Sequence, residues 1–313
     1  MKDMKKSPVK LGIVGCAHAC KDLHRPWISG NPNWDICGLF DLNLDLAVSE
    51  AAAFGGEAKA EDSLDALLAR TDIEAVLVLT KPPTTHHKVA MQIIAAGKDC
   101  WIEKPFAETT EECDEIIQAA EAKGTRLFVY QNRRWDANFK SAQKIISDGR
   151  LGALDYIQVN FAASGYDWGI HIMDQAVQLG QGALRQIYGW SANPEEDAVA
   201  SSADLLFERG PTIRVQFMPF TPGTADIQKF ARFYIVGSGK TEDGRNFELV
   251  PGGEDWPHQA AMYRDLYAWM REDALCPVNP VGARNAVYAY ELMKESARQG
   301  KSLTPDHWIT ESL

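Results

Sequence analysis

Over the first 130 positions the apolar residues fall in short unbroken runs, with longer stretches of helical period between them. Val9 to Val14, Trp34 to Asp41, Ala75 to Thr80, the DCWIEKP stretch Asp99 to Pro105, and Arg126 to Tyr130 read as strands. Their apolar runs are continuous rather than alternating, as expected for strands covered on both faces of a parallel sheet. The segments between them predict helices over Leu44 to Phe54, Ser63 to Ala69, Thr85 to Ala96 and Thr109 to Lys123. Thr109 supplies an N-cap to the last of these, and Gly124 its stop. Five strands alternating with helices predict an α/β fold with a doubly wound parallel sheet.

Beyond the QNRRW stretch that follows, the grammar changes. A helix over Asn138 to Ser147 leads into strands at Ala153 to Ala162, Ala203 to Phe207, Thr212 to Phe217 and Phe230 to Val236. Helices over His258 to Arg271 and Ala283 to Arg298 close the chain. Strands in succession with helices at the ends predict an α+β domain on a mostly antiparallel sheet. The expected division is a dinucleotide-binding domain over 1–131 and a second domain over 132–313.

Composition narrows the function classes. At 313 residues, 45% hydrophobic and 24% charged, the chain is long enough for two packed domains and too apolar for disorder. A net charge of −11 argues against a nucleic-acid partner, which needs a basic surface. Five of the six cysteines (Cys16, Cys20, Cys37, Cys100 and Cys113) fall in predicted core or helix, so free thiols in a reducing, cytoplasmic setting are expected. The start MKDMKK followed by LGIVGCAHA mimics a secretory signal, yet reads as well as a first strand entering a turn, and is taken as mature protein. No apolar run approaches the length of a membrane span, so no membrane partner is expected.

Candidate chemistry lies at strand ends. Gly15 opens GCAHAC where a G-x-G-x-x-G phosphate turn would fall, with Ala17 and Cys20 in place of the later glycines. An alanine there costs some closeness to a pyrophosphate without forbidding it. Asp41 ends the second strand 26 residues after Gly15, near the ~20-residue spacing of a carboxylate that receives ribose hydroxyls. The alternative is a helix cap for the segment from Asn43. With no arginine following Asp41, NAD is favoured over NADP. His18, His24, Cys16 and Cys20 invite a metal reading, but their spacing in a strand-to-helix turn is no zinc pattern, and no metal is expected.

Lys104 stands at the carboxyl end of a strand, where open α/β sheets hold ligands and a lysine can act as acid or base. A solvated lysine before a turn proline is the alternative. In GYDWGIHIMDQAV, Asp167, His171 and Asp174 sit at i, i+4 and i+7, a polar stripe on a helix, with Ile170, Met173 and Val177 opposite. An imidazole oriented by a carboxylate, a helix start capped by Asp167, and a metal site all fit that stripe.

Taken together, these motifs resemble the glucose–fructose oxidoreductase / inositol dehydrogenase / rhizopine catabolism (Gfo/Idh/MocA) family. The likeness rests on the order of a G-x-G-like turn, an acid ending the second strand, P-x-x-x-H, E-K-P, N-R-R-W and D-x-G-x-H-x-x-D. It includes Gly97 eleven residues after His86 and six before Glu103. The resemblance implies an NAD-dependent oxidoreductase acting on a secondary hydroxyl of a sugar, polyol or related compound. It also admits an NAD-dependent glycosidase or a non-catalytic sensor. It implies Lys104 touching substrate and nicotinamide ribose, His171 as acid/base and Asp167 as its support. Gly15, Ala17, His18, Ala19, Asp41, Thr80, Pro82, His86 and Glu103 would hold the cofactor. A homodimer or homotetramer through the second-domain sheet is implied as well. The short link Ser164–Tyr166 departs from the family's longer loop. Cover is therefore expected from Trp168, Trp135, the Trp190 to Ala200 segment or a neighbouring subunit, unless the cleft is open.

Overall fold

The structure is a computed structural model that describes residues 7–162, 165–197, 199–218, 232–240, 244–252 and 258–310. The chain divides into two compact units, one containing the residues up to Tyr130 together with Gln259–Pro280, the other Gln131–His258 and Val281–Leu313.

Among the described residues, the first unit is built on six parallel strands: β1 (Val9–Val14), β2 (Trp34–Phe40), β3 (Lys59–Ala60), β4 (Ala75–Val78), β5 (Asp99–Glu103) and β6 (Leu127–Tyr130). Their order is β3-β2-β1-β4-β5-β6, the doubly wound arrangement whose winding reverses between β1 and β4. Every residue of β4 is buried, and all of β1 but Lys10, which is why these runs are apolar without alternation. The two-residue edge strand β3 was too short to read from sequence.

The crossovers are α1 (Arg25–Ile28), α2 (Leu44–Phe54), α3 (Leu64–Ala69), α4 (His86–Ala95) and α5 (Thr110–Lys123). Their starts follow local chemistry. Asn43, Ser63 and Thr109 each cap their helix by accepting a backbone N–H, and Gly124 ends α5 in the left-handed conformation.

The second unit holds α6 (Ala137–Ser147), β7 (Leu154–Phe161), α7 (Tyr166–Leu179), β8 (Gln181–Ser191), β9 (Ser201–Arg209), β10 (Thr212–Phe217), β11 (Arg232–Gly237) and β12 (Phe247–Val250). Its sheet runs β12-β11-β7-β10-β9-β8, antiparallel except for the β7–β10 pair. Alternation is visible here: Ile157, Val159 and Phe161 are buried while their neighbours are half-buried. Helices α6 and α7 pack on the sheet. The expected strand from Phe230 lies outside the described residues up to Ala231. Strand β8 was missed because register shifts near Leu184 break its alternation.

After the second sheet the chain returns to the first unit through α8 (His258–Arg271) before α9 (Pro280–Gln299). A single division at residue 131 leaves Gln259–Pro280 on the wrong side. Packing decides it: Met262, Tyr263, Leu266 and Met270 are buried, and the rings of Tyr263 and Tyr267 meet Trp34 edge-on. Arg271 is pinned to Glu74 by two bonds of 2.7 and 2.9 Å and to the Ser7 and Pro8 carbonyls. Among the described residues no helix is long and apolar enough to cross a membrane.

Candidate active site

The carboxyl ends of β1, β2 and β4 open on a cleft of about 630 Å³. Gly15, Ala17, His18, Ala19, Asp41 and Thr80 line it, six of the residues singled out from sequence. Gly15 has φ +95, and a Cβ there would stand 2.8 Å from the Leu79 carbonyl carbon and oxygen. Only glycine lets β1 turn so close to β4. Beyond it Ala19–His24 form a π-helical turn running into α1, with buried Cys20 in the third-glycine position.

Asp41 is fixed before any ligand arrives. Its Oδ2 accepts the Cys16 N–H at 2.7 Å and its Oδ1 the Asn43 N–H at 2.8 Å. Each carboxylate oxygen keeps a further lone pair for a hydroxyl donor. Asp41 thus does not cap α2, which Asn43 does through the Asp45 N–H. Sequence reasoning missed Leu42, Leu46 and Leu64, which add an apolar side to the cleft, and Lys81 and Lys88, which add charge. A signal was available: Leu42 and Leu46, four apart at a helix start, leave apolar groups on the solvent side, Leu42 being 96% exposed. An anchored carboxylate, an apolar slot and a backbone turn that admits close approach fit a dinucleotide.

Pro82, His86, Glu103 and Lys104 are not among the residues lining this cleft. His86 is buried with Nδ1 2.8 Å from the Pro105 carbonyl and Nε2 3.0 Å from the Thr80 carbonyl. It ties the loop after β4 to the loop after β5, immediately beyond Lys104. Glu103 is buried behind the strand end, 3.4 Å from His24 Nε2, whose Nδ1 lies 2.6 Å from the Tyr263 hydroxyl. Pro82 is exposed and Lys104 half-buried. His86 and Glu103 are thus bound into the ends of the strands.

In the second unit, the helix carrying Asp167, His171 and Asp174 is buried nearly all round from Gly169 onward. The polar stripe is therefore divided among roles. Asp174 receives a two-pronged bond from Arg134, 2.8 and 2.7 Å, both side chains buried. Burial raises the Asp174 carboxyl above its ordinary value, against the pull of Arg134. That pairing makes Asp174 a structural anchor for the N-R-R-W turn, and Gln175 Nε2 donates to the Arg133 carbonyl beside it. His171 is buried with its ring 6.3 Å from that of Trp168, which is 44% exposed, and Asp167 is half-buried. Ser164, before the helix, and Ala198, in the expected cover segment, lie outside the described residues. No three His, Cys, Asp or Glu side chains cluster to hold a metal among the described residues.

Residues 9–131 match the model of the oxidoreductase family with an NAD-binding Rossmann fold. An uncharacterized oxidoreductase of Schizosaccharomyces pombe is 33% identical over 192 residues, 55% of this chain and 52% of that protein. The scyllo-inositol 2-dehydrogenase (NADP(+)) IolW of Bacillus subtilis is 31% identical over 56% of this chain and 52% of its own length. The chain thus spans about half the length of the curated relatives it matches. Among solved structures, GenD2 from gentamicin A biosynthesis in complex with NAD superposes with a TM-score of 0.81 at 19% identity. That likeness covers 96% of this chain and 97% of GenD2, and it is one of fold.

Proposed function

We propose that the chain is a member of the Gfo/Idh/MocA oxidoreductase family, whose NAD-binding Rossmann model matches residues 9–131, and that it acts as an NAD-dependent dehydrogenase of small hydroxy compounds. The substrate class is a sugar, polyol or cyclitol with a secondary hydroxyl. The observation that carries this reading is the cleft at the ends of β1, β2 and β4, with Asp41 held by two backbone amides at its wall. NAD, when bound, accepts the hydride from the hydroxyl-bearing carbon.

The chain's own residues supply the rest. Gly15 and the following turn approach the pyrophosphate, and Asp41 accepts the adenosine ribose hydroxyls. Leu42, Leu46 and Leu64 give the adenine ring an apolar slot. Lys104 orients the reacting hydroxyl. His171 takes its proton, with Asp167 in support and burial holding the ring in one orientation. Inositol dehydrogenases among the relatives support the polyol class. The NADP preference in the name of IolW makes cofactor choice a sharp test, since a 2′-phosphate would meet the Asp41 carboxylate. In its assembly the protein is proposed to pair through the outer face of the second sheet, where Tyr188, Trp190, Leu206 and Leu249 are exposed.

The test is calorimetric titration of NAD and NADP, then a sugar and polyol screen followed at NADH absorbance. Tighter binding of NAD and reduction by at least one polyol are expected. Failure to bind either nucleotide would sink the reading.

A further inference from the structure

Helix α7 begins at a residue that cannot cap it. Gly165, before Tyr166, has φ +89 and ψ 158, a backbone region essentially reserved to glycine. It brings no side chain to the first N–H groups of the helix. The acceptor comes instead from a residue 31 positions beyond Tyr166: Asp197 Oδ2 accepts the Tyr166 N–H at 2.6 Å. A methyl at position 165 would stand 3.1 Å from that same oxygen, so glycine serves both the turn and the approach.

Further contacts converge on the same turn. The Tyr290 hydroxyl of α9 donates to Asp197 Oδ1 at 3.4 Å, and Lys294 Nζ donates to it at 3.2 Å. The Tyr290 ring lies 5.1 Å from the Tyr166 ring, and a Cβ on Gly169 would meet it at 2.8 Å. Burial, and then the Asp197 charge, push the Tyr290 phenol far above its ordinary value, so it remains a donor. Carboxylate, phenol and first turn close a triangle around the start of α7.

We propose that Asp197 is a positioning residue: it caps α7 from a distance, fixing the turn that carries Asp167 and Trp168 and leads into His171. The proposal rests on the assignment of Asp167 and His171 to proton transfer. A carboxylate suits the place because it meets both the Tyr166 N–H and the positive end of the helix dipole. From Ile170 onward the helix is held by its own burial. Losing the cap would therefore loosen Asp167 and Trp168 against His171 while sparing the fold. The segment after β8 would then act on the site through a single carboxylate, with no need to fold over a ligand.

Hydrogen exchange, and NMR of protein labelled with ¹³C-histidine, test this on Asp197→Ala and Asp197→Asn. With alanine, exchange of the Tyr166 to Gly169 amides should quicken roughly fivefold, the usual worth of an N-cap. The His171 ring signal, assigned by its loss in His171→Gln, should move. NAD affinity should stay within twofold. Asparagine keeps the acceptor and should restore both readouts. Unchanged exchange and an unmoved His171 signal in the alanine variant overturn the proposal, as does an asparagine variant that behaves like alanine. If Asp197→Ala does not fold, Tyr290→Phe removes only the phenol donor and should quicken the same amides less. No change there also overturns it. A fully active His171→Ala would defeat the base assignment alone, leaving the exchange result to stand.

Discussion

Asp41 has two tasks in the proposed function: its carboxylate anchors the backbone of the turn after β1, and from the wall of the cleft it is proposed to receive the ribose hydroxyls. Asp41→Ala should thus weaken NAD about 10- to 100-fold, the range of a lost hydrogen bond to a charged group, and narrow the gap to NADP. Asp41→Asn keeps one acceptor for Cys16 and should lose less; paired calorimetric titrations separate the cases. An alanine variant that bound NAD as tightly as wild type would remove Asp41 from the cofactor site. Gly15→Ala should be worse, because its methyl meets the backbone of Leu79 and Thr80 rather than a yielding side chain. It should lower both thermal stability and NAD affinity, by differential scanning and titration. The place of Gly15 and Asp41 at the strand ends that line the cleft was legible in the sequence, because a strand end and a fixed spacing are local features. Asp197 was not, because a cap supplied 31 residues away leaves no mark beside the helix it serves.

At the scale of elements, two buried ties set the strand and helix ends. The Arg134–Asp174 pair fastens the turn Asn132–Trp135 to the middle of α7. Asp174→Ala takes a two-pronged carboxylate from a buried guanidinium and should cost about 3–5 kcal/mol, whereas replacing both partners by apolar residues should cost far less. Urea unfolding of the two single variants and the double variant completes the cycle, and additive losses would contradict a direct pair. The His86 ring lies between the Thr80 and Pro105 carbonyls, in the loops after β4 and β5, with a ring nitrogen at hydrogen-bond distance from each. The spacings P-x-x-x-H and H-x-x-D mark His86 and Asp174 in the sequence, but neither shows the loop its side chain meets: His86 is expected there at the cofactor, and the stripe that holds Asp174 stays open among base, structural and metal roles. A spacing reveals that two residues share a helix face. It does not reveal which loop the face meets. For the same reason β8 stayed hidden: bulges cancel the period-2 signal, and its Gly189 lies against the Met293 carbonyl of α9, a tertiary fact.

For the whole molecule, stability should carry two opposing pH signatures, one from each unit. In the first, bonds from Arg70 hold the Asp72 carboxyl down to about 2, so its contribution is present above the ordinary carboxylate range and lost as pH falls through about 2. In the second, burial pushes Asp136 up to about 6, only partly offset by Arg133 at 3.0 Å. The sign is then reversed. The folded state prefers the protonated carboxyl, so stability is greatest below about 4, declines as pH rises toward about 6, and levels off above it. The shift bounds this decline at roughly 3 kcal/mol. Asp136→Asn mimics the protonated form and should abolish this component. Urea unfolding followed at pH 4.5, 5.5 and 7 should give a wild-type stability that falls relative to the variant over that interval, the variant overtaking it by pH 7. A constant difference between the two would mean that Asp136 stays ionised throughout, with Arg133 outweighing burial.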